Sequence, residues 1–144
     1  MDGKFAPLID KGGRILNVSS MSSFMLPQDK VPKQISRLAL ADPDQFLDSI
    51  KQMPAAVPEE QRTGGAYTMS KSFVVWHTSR KHRRQSLNLI PISPGTYKTP
   101  MGEVEGEQAA SFALRGALGH LGDPEEIAKM MIFTDNEEYG HLTQ

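Results

Sequence analysis

Two strand-length apolar runs organise the chain: Ile15, Leu16 and Val18 within 14–19, and Leu87, Leu89, Ile90 and Ile92 within 87–92. Both are nearly continuous rather than alternating, the pattern of strands buried on both faces of a parallel sheet. Between and after them, apolar residues recur at helical spacing. Asp42-Pro43-Asp44-Gln45 offers an N-cap aspartate, proline at the first helical position and glutamine at the third, with Phe46, Leu47, Ile50 and Met53 following along one face. A second helix is predicted from Ala66 to about Arg83, its apolar surface supplied by Met69, Phe73, Val74 and Trp76. Shorter helical segments are predicted over 5–10, stopped by Gly12-Gly13, and over 33–41. Beyond the second strand come a loop over 93–100, a lobe with a helix near 108–115, and a helix opened by Asp123-Pro124-Glu125-Glu126 and continued by Ile127, Met130, Met131 and Phe133. Strand, helix, strand, helix implies a βαβ crossover, hence parallel strands and an α/β sheet.

Composition narrows the classes of function. With 38% hydrophobic and 23% charged residues in 144, the chain fits one globular domain, and a net charge of −1 gives no general attraction to nucleic acid or anionic membrane. The basic run Arg80-Lys81-His82-Arg83-Arg84 is therefore read as a solvated helix end favoured by the macrodipole. It lacks the interleaved aromatics or glycines of a nucleic-acid platform. The sequence has no cysteine, and its four histidines lack ligand spacing, so no metal is implied. It contains no apolar run near the roughly 20 residues that span a bilayer, and the first ten residues lack a signal pattern. A cytoplasmic protein is the expectation.

The chemistry-bearing stretch is Gly64-Gly65-Ala66-Tyr67-Thr68-Met69-Ser70-Lys71, which puts a phenol and an ammonium four residues apart on one helix face. A free tyrosine titrates near pH ~10, so it exchanges protons at neutral pH only where a cation favours the phenolate. Upstream, Gly12-Gly13-Arg14-Ile15-Leu16-Asn17-Val18-Ser19-Ser20 ends the first strand in a hydroxyl cluster with Ser22 and Ser23, at the strand end where open α/β sheets place ligands. Downstream stands Ile92-Ser93-Pro94-Gly95-Thr96-Tyr97-Lys98-Thr99-Pro100.

In this order the three motifs resemble the C-terminal catalytic half of the short-chain dehydrogenase/reductase family, over most of residues 1–26 and 64–133. The long interval between Ser20 and Tyr67 resembles the hydroxysteroid dehydrogenase/carbonyl reductase branch. The resemblance implies a partial Rossmann-like fold, a doubly wound parallel sheet lacking its N-terminal nucleotide-binding half. It also implies an NAD(P)-dependent oxidoreductase acting on an alcohol or ketone, with NAD or NADP as cofactor. By it Tyr67 is the general acid/base, Ser20 hydrogen-bonds the substrate oxygen, and Lys71 lowers the tyrosine pKa and holds the nicotinamide ribose. Pro94, Gly95, Tyr97 and Thr99 line the nicotinamide and its amide. Residues 1–144 are then one partial domain with an inserted helical segment at 27–62 and a substrate lobe at 101–122. A small-molecule alcohol or ketone and a second copy of the chain are the expected partners. Phe24, Met25, Leu26, Met101, Phe112 and Leu114 suggest an uncharged, greasy substrate, although ordinary packing explains them equally.

The chain also departs from the family. Its 144 residues hold no glycine-rich T-G-x-x-x-G-x-G turn, and Ile90-Pro91 stands where the family has an asparagine followed by a residue with a free N–H. A proline inside a central strand removes a ladder donor. These departures lead us to expect a fragment, a truncated product or a decayed copy. The alternative function is accordingly a catalytically inactive remnant that acts as an interaction or dimerisation module.

Overall fold

The computed structural model describes residues 6–9, 13–25, 41–52, 58–82, 88–116 and 119–135. The helix expected over 33–41 lies almost wholly outside them, as do the end of the basic run and residues 27–40 and 53–57 of the 27–62 segment, while the described part of the helix expected over 5–10 is a 3-10 turn, Ala6–Leu8. Strand β1 is Arg14–Val18 and strand β2 is Asn88–Ile92. They pair in parallel, Arg14 opposite Asn88 through Val18 opposite Ile92. A parallel pair cannot be closed by a tight turn, and the chain between the two strands supplies helices α1 (Pro43–Gln52) and α2 (Glu59–His82). Helices α3 (Pro100–Glu105), α4 (Glu107–Arg115) and α5 (Pro124–Asp135) follow β2. This is an α/β chain with a small parallel sheet, a partial Rossmann-like arrangement.

The core sits on β2. Leu89, Ile90 and Ile92 are buried, and α2 packs on this strand and on the end of β1. The helix face at that contact carries small hydroxyl residues, which let helix and strands approach closely. Ser72 is buried and donates to the Ser23 carbonyl (2.9 Å), while the fully buried Thr78 accepts from the Asn17 amide (3.0 Å) and donates to the Val74 carbonyl (2.7 Å). On the far side of β1, Arg14 donates to the Thr134 carbonyl of α5 (2.9 Å).

Two expectations change in detail. Helix α2 begins at Glu59 rather than Ala66, so Gly64-Gly65 is helix interior and residues 59–62 belong to the same helix as Tyr67. Glu59 and Glu60 suit a first turn, where negative charge complements the dipole, and a glycine in mid-helix weakens it without ending it. Pro91, expected to damage the ladder, spares the β1–β2 pairing. Ser19 N–H donates to the Ile92 carbonyl (2.6 Å) and Met21 N–H to the Pro94 carbonyl (2.9 Å). By alternation along the strand Ile90 and Ile92 of β2, and Pro94 beyond its end, turn their backbone groups to β1, and Pro91 between Ile90 and Ile92 turns its nitrogen to the opposite edge.

Helix α1 forms as its capping signal predicts, with the Asp42 carboxylate accepting from the Gln45 N–H (3.0 Å). Its half-buried Phe46 meets Phe73 of α2 edge-on, ring centroids 5.0 Å apart. Ile50 is half-buried, whereas Leu47 stays exposed. Helix α5 carries the reciprocal contact of a capping box: Asp123 N–H donates to the Glu126 carboxylate (2.8 Å). No described helix is long and apolar enough to cross a membrane.

Candidate active site

The C-terminal end of β1 is bonded directly onto α2. Ser19 Oγ donates to the Lys71 backbone carbonyl (2.7 Å), and Lys71 Nζ reaches back to the Val18 carbonyl (3.3 Å). One turn earlier on the same helix, Tyr67 presents its ring to that ammonium, with Nζ 5.6 Å from the ring centroid. The phenol is open to solvent at 37% exposure, and the lysine is half-buried. The four-residue spacing therefore does what helical geometry requires of it: cation and phenol share one face, and that face meets the strand end.

Ser20 follows Ser19 in extended conformation (φ −161°, ψ 153°) and caps a 3-10 turn over Met21–Phe24. Its Oγ accepts from Ser22 N–H (3.2 Å) and from Ser22 Oγ (3.1 Å). It lies between the two backbone bonds that tie Ser19 to Ile92 and Met21 to Pro94, so the loop after β2 is held beside it. Ser20, Lys71 and Pro94 are thus gathered at one end of the sheet. Ser20 and Tyr67 make no direct hydrogen bond to each other among the described residues.

The loop residues divide by role. Pro94 is half-buried and Gly95 exposed, and a Cβ added at Gly95 would meet Met21 Sδ at an ordinary 3.5 Å, so space alone does not demand glycine there. Tyr97 packs its ring against Gly122, where an added Cβ would fall 2.6 Å from Cε1 and 2.8 Å from Cδ1. The two residues form a parallel bridge, and Lys98 N–H to Gly122 O (2.9 Å) with Gly122 N–H to Thr96 O (3.1 Å) closes it. Lys98 extends the closure to Asp123 (2.8 Å); that hydrogen bond, and then the aspartate's charge, raises the Lys98 pKa above its ordinary value. Thr99 caps α3, its Oγ1 accepting from Gly102 N–H (3.1 Å), which leaves its own O–H to give. Neither the Tyr97–Gly122 seat nor the Ser22–Ser20 bonds could be found from spacing. The glycine before Asp123-Pro124 and the clustered serines were their sole signals in the sequence.

What the fold and site define is an α/β chain whose tyrosine–lysine helix is bonded to a serine-bearing strand end. Comparison with known proteins falls in line with this. The chain is 32% identical to the 3-oxoacyl-(acyl-carrier-protein) reductase of Thermotoga maritima over 81 residues, 54% of the chain and 33% of that protein. It is likewise 32% identical to estradiol 17-beta-dehydrogenase 8 of Callithrix jacchus, over 54% of the chain and 60% of the relative. A short-chain dehydrogenase/reductase of Alternaria brassicicola, bsc3, is 27% identical over 97% of the chain and 53% of its own length. The chain is thus similar in sequence to short-chain dehydrogenases/reductases, and it spans between a third and 60% of the length of these three. No family model matches it, and no solved structure does.

Proposed function

We propose that the chain carries the proton-transfer and nicotinamide-facing half of an NAD(P)-dependent oxidoreductase that interconverts an alcohol and a ketone. The observation that supports this best is the Lys71 ammonium held between the Val18 carbonyl and the Tyr67 ring on the face that meets the end of β1. In this reading Tyr67 gives a proton to, or takes one from, the substrate oxygen, and Ser20 donates a hydrogen bond to that oxygen as charge develops on it. A nicotinamide cofactor supplies or accepts the hydride at the carbon.

The residues present suit the nicotinamide end of such a cofactor. Lys71 uses one N–H on Val18 and has two others to offer ribose hydroxyls, and Thr99, already accepting from Gly102, offers an O–H to an amide carbonyl. Pro94 and Gly95 give the loop a flat, side-chain-poor surface beside Ser20. Tyr97, whose ring is seated on Gly122, contributes through backbone and position. In the same reading the lobe of α3 and α4 and the 27–62 segment shape the substrate's surroundings.

Titration with reduced nicotinamide mononucleotide, followed by nicotinamide fluorescence, tests the proposal. Saturable enhancement that Lys71→Met weakens is the expected result. A flat response would favour the alternative of a non-catalytic interaction module, for which exposed Val104, Leu114 and Ile132 speak.

A further inference from the structure

We propose that Ser22 is a positioning residue that makes Ser20 an obligate hydrogen-bond donor toward the substrate oxygen. The inference rests on the reading of Ser20 just given and adds to it a residue with no evident contact to substrate. A serine hydroxyl has one proton to donate and two lone pairs with which to accept. At Ser20 one lone pair is engaged by the Ser22 N–H at 3.2 Å, and the Ser22 hydroxyl, 3.1 Å away, is placed to donate into the other. What Ser20 retains is its own proton.

The direction matters for a ketone, whose oxygen can only accept. Were Ser20 to donate to Ser22 instead, it would present a lone pair to the carbonyl oxygen and repel it. With Ser22 donating, the Ser20 proton is left for the substrate, and a hydroxyl that already accepts two bonds is polarised into a stronger donor. The site can hold this arrangement without rearranging as charge develops. Ser20 is extended and flanked by the Ser19–Ile92 and Met21–Pro94 backbone bonds, so its main chain is fixed. Ser22 follows in a turn whose backbone bonds run from Ser23 N–H to the Ser20 carbonyl (3.0 Å) and from Met25 N–H to the Ser22 carbonyl (3.0 Å). The side-chain hydroxyl of Ser22 is therefore free of helix-building duties and available for this bond.

The test uses the 144-residue chain and cyclohexanone labelled with carbon-13 at its carbonyl, whose resonance moves downfield when the oxygen accepts a hydrogen bond. The chain is expected to displace the resonance saturably, and Ser20→Ala to reduce the displacement to what the Tyr67 phenol alone gives. Ser22→Ala should lose most of it, Ser22→Thr should restore it, and Ser22→Cys, a weaker donor of similar size, should fall between. The Cys and Thr variants decide the matter should Ser22→Ala lose its helical circular dichroism. If Ser20→Ala reduces the displacement while the Ser22 variants keep it in full, the role of Ser22 is overturned and that of Ser20 stands. If Ser20→Ala leaves the displacement unchanged, or the chain gives none, the reading of Ser20 fails and takes the inference with it.

Discussion

Individual residues carry unequal weight, and Gly122 carries more than its place in the sequence suggests. A methyl group there would lie 2.6 Å from Tyr97 Cε1, and the parallel bridge that holds the two backbones together limits how far the ring can move away. Gly122→Ala should therefore cost about 1–3 kcal/mol, the usual penalty of overpacking, in chemical denaturation. Tyr97→Ala in the same background should recover part of the loss by removing the clash. A stability unchanged by Gly122→Ala would show that the ring is not seated as described. The neighbouring Lys98–Asp123 pair is a weaker device, since both side chains are more than half exposed and a solvated pair contributes little. Because Lys98 is raised from its ordinary value, its contribution is complete below the unfolded lysine pKa and fades as pH climbs through the higher folded value. Between pH 6 and 9 the small loss of stability in Lys98→Met should thus be the same at every pH, as chemical denaturation at each pH would show. Thr78 behaves oppositely, being fully buried with the half-buried Asn17 amide bonded to it. Thr78→Val removes the acceptor for the Asn17 amide and should cost about 1–3 kcal/mol, measured by the denaturation midpoint, while Asn17→Leu with Thr78→Val should cost less than the single change.

At the scale of elements, α2 shows what local pattern conveys and what it conceals. Its tyrosine and lysine were legible because helical spacing alone fixes their common face, whereas its start was misplaced by about two turns because Gly64-Gly65 reads as punctuation. Nothing lies within 4 Å of a Cβ added at either glycine. Alanine at each should therefore stabilise the chain by about 0.5–1 kcal/mol through helix propensity, measured by thermal unfolding; destabilisation by both would mean that the backbone there is not helical. The strands were legible from their apolar runs and their parallel pairing from the crossover between them. The consequence of Pro91 was not, because a proline's damage depends on which edge its nitrogen faces. That is set by register, and register follows from the partner strand rather than from the strand itself. The same limit applied to Ser22 and Gly122, whose partners lie in a turn and a loop that no periodicity describes. The helices were easier: α1 and α5 announced themselves by capping signals, and Asp42–Gln45 and Asp123–Glu126 bonds realise both.

For the whole molecule, the question is what two parallel strands and their helices can do alone. Binding a dinucleotide calls for a pyrophosphate site of backbone N–H groups at a glycine-rich turn leading into a helix N-terminus. The adjacent glycine pairs of this sequence are Gly12-Gly13, which precedes β1, and Gly64-Gly65, which lies inside α2, and neither forms such a turn between a strand and a helix. Under the proposed function, Lys71 and the Pro94 to Thr99 loop could therefore grip only the nicotinamide–ribose end. Binding energy from the remote half of the cofactor, which elsewhere serves to align the hydride, would not be available to these residues. We expect the 144 residues alone to show no measurable NAD(P)H-dependent reduction of ketones, although the groups for proton transfer are in place. Joining them to a glycine-rich nucleotide-binding segment taken from a related reductase should restore some turnover, and Tyr67→Phe should abolish what is restored. Steady NADPH oxidation by the 144 residues, lost in Tyr67→Phe, would overturn the claim that the remote half is needed. Turnover in the joined protein that survives Tyr67→Phe would instead remove Tyr67 from the role of acid and base.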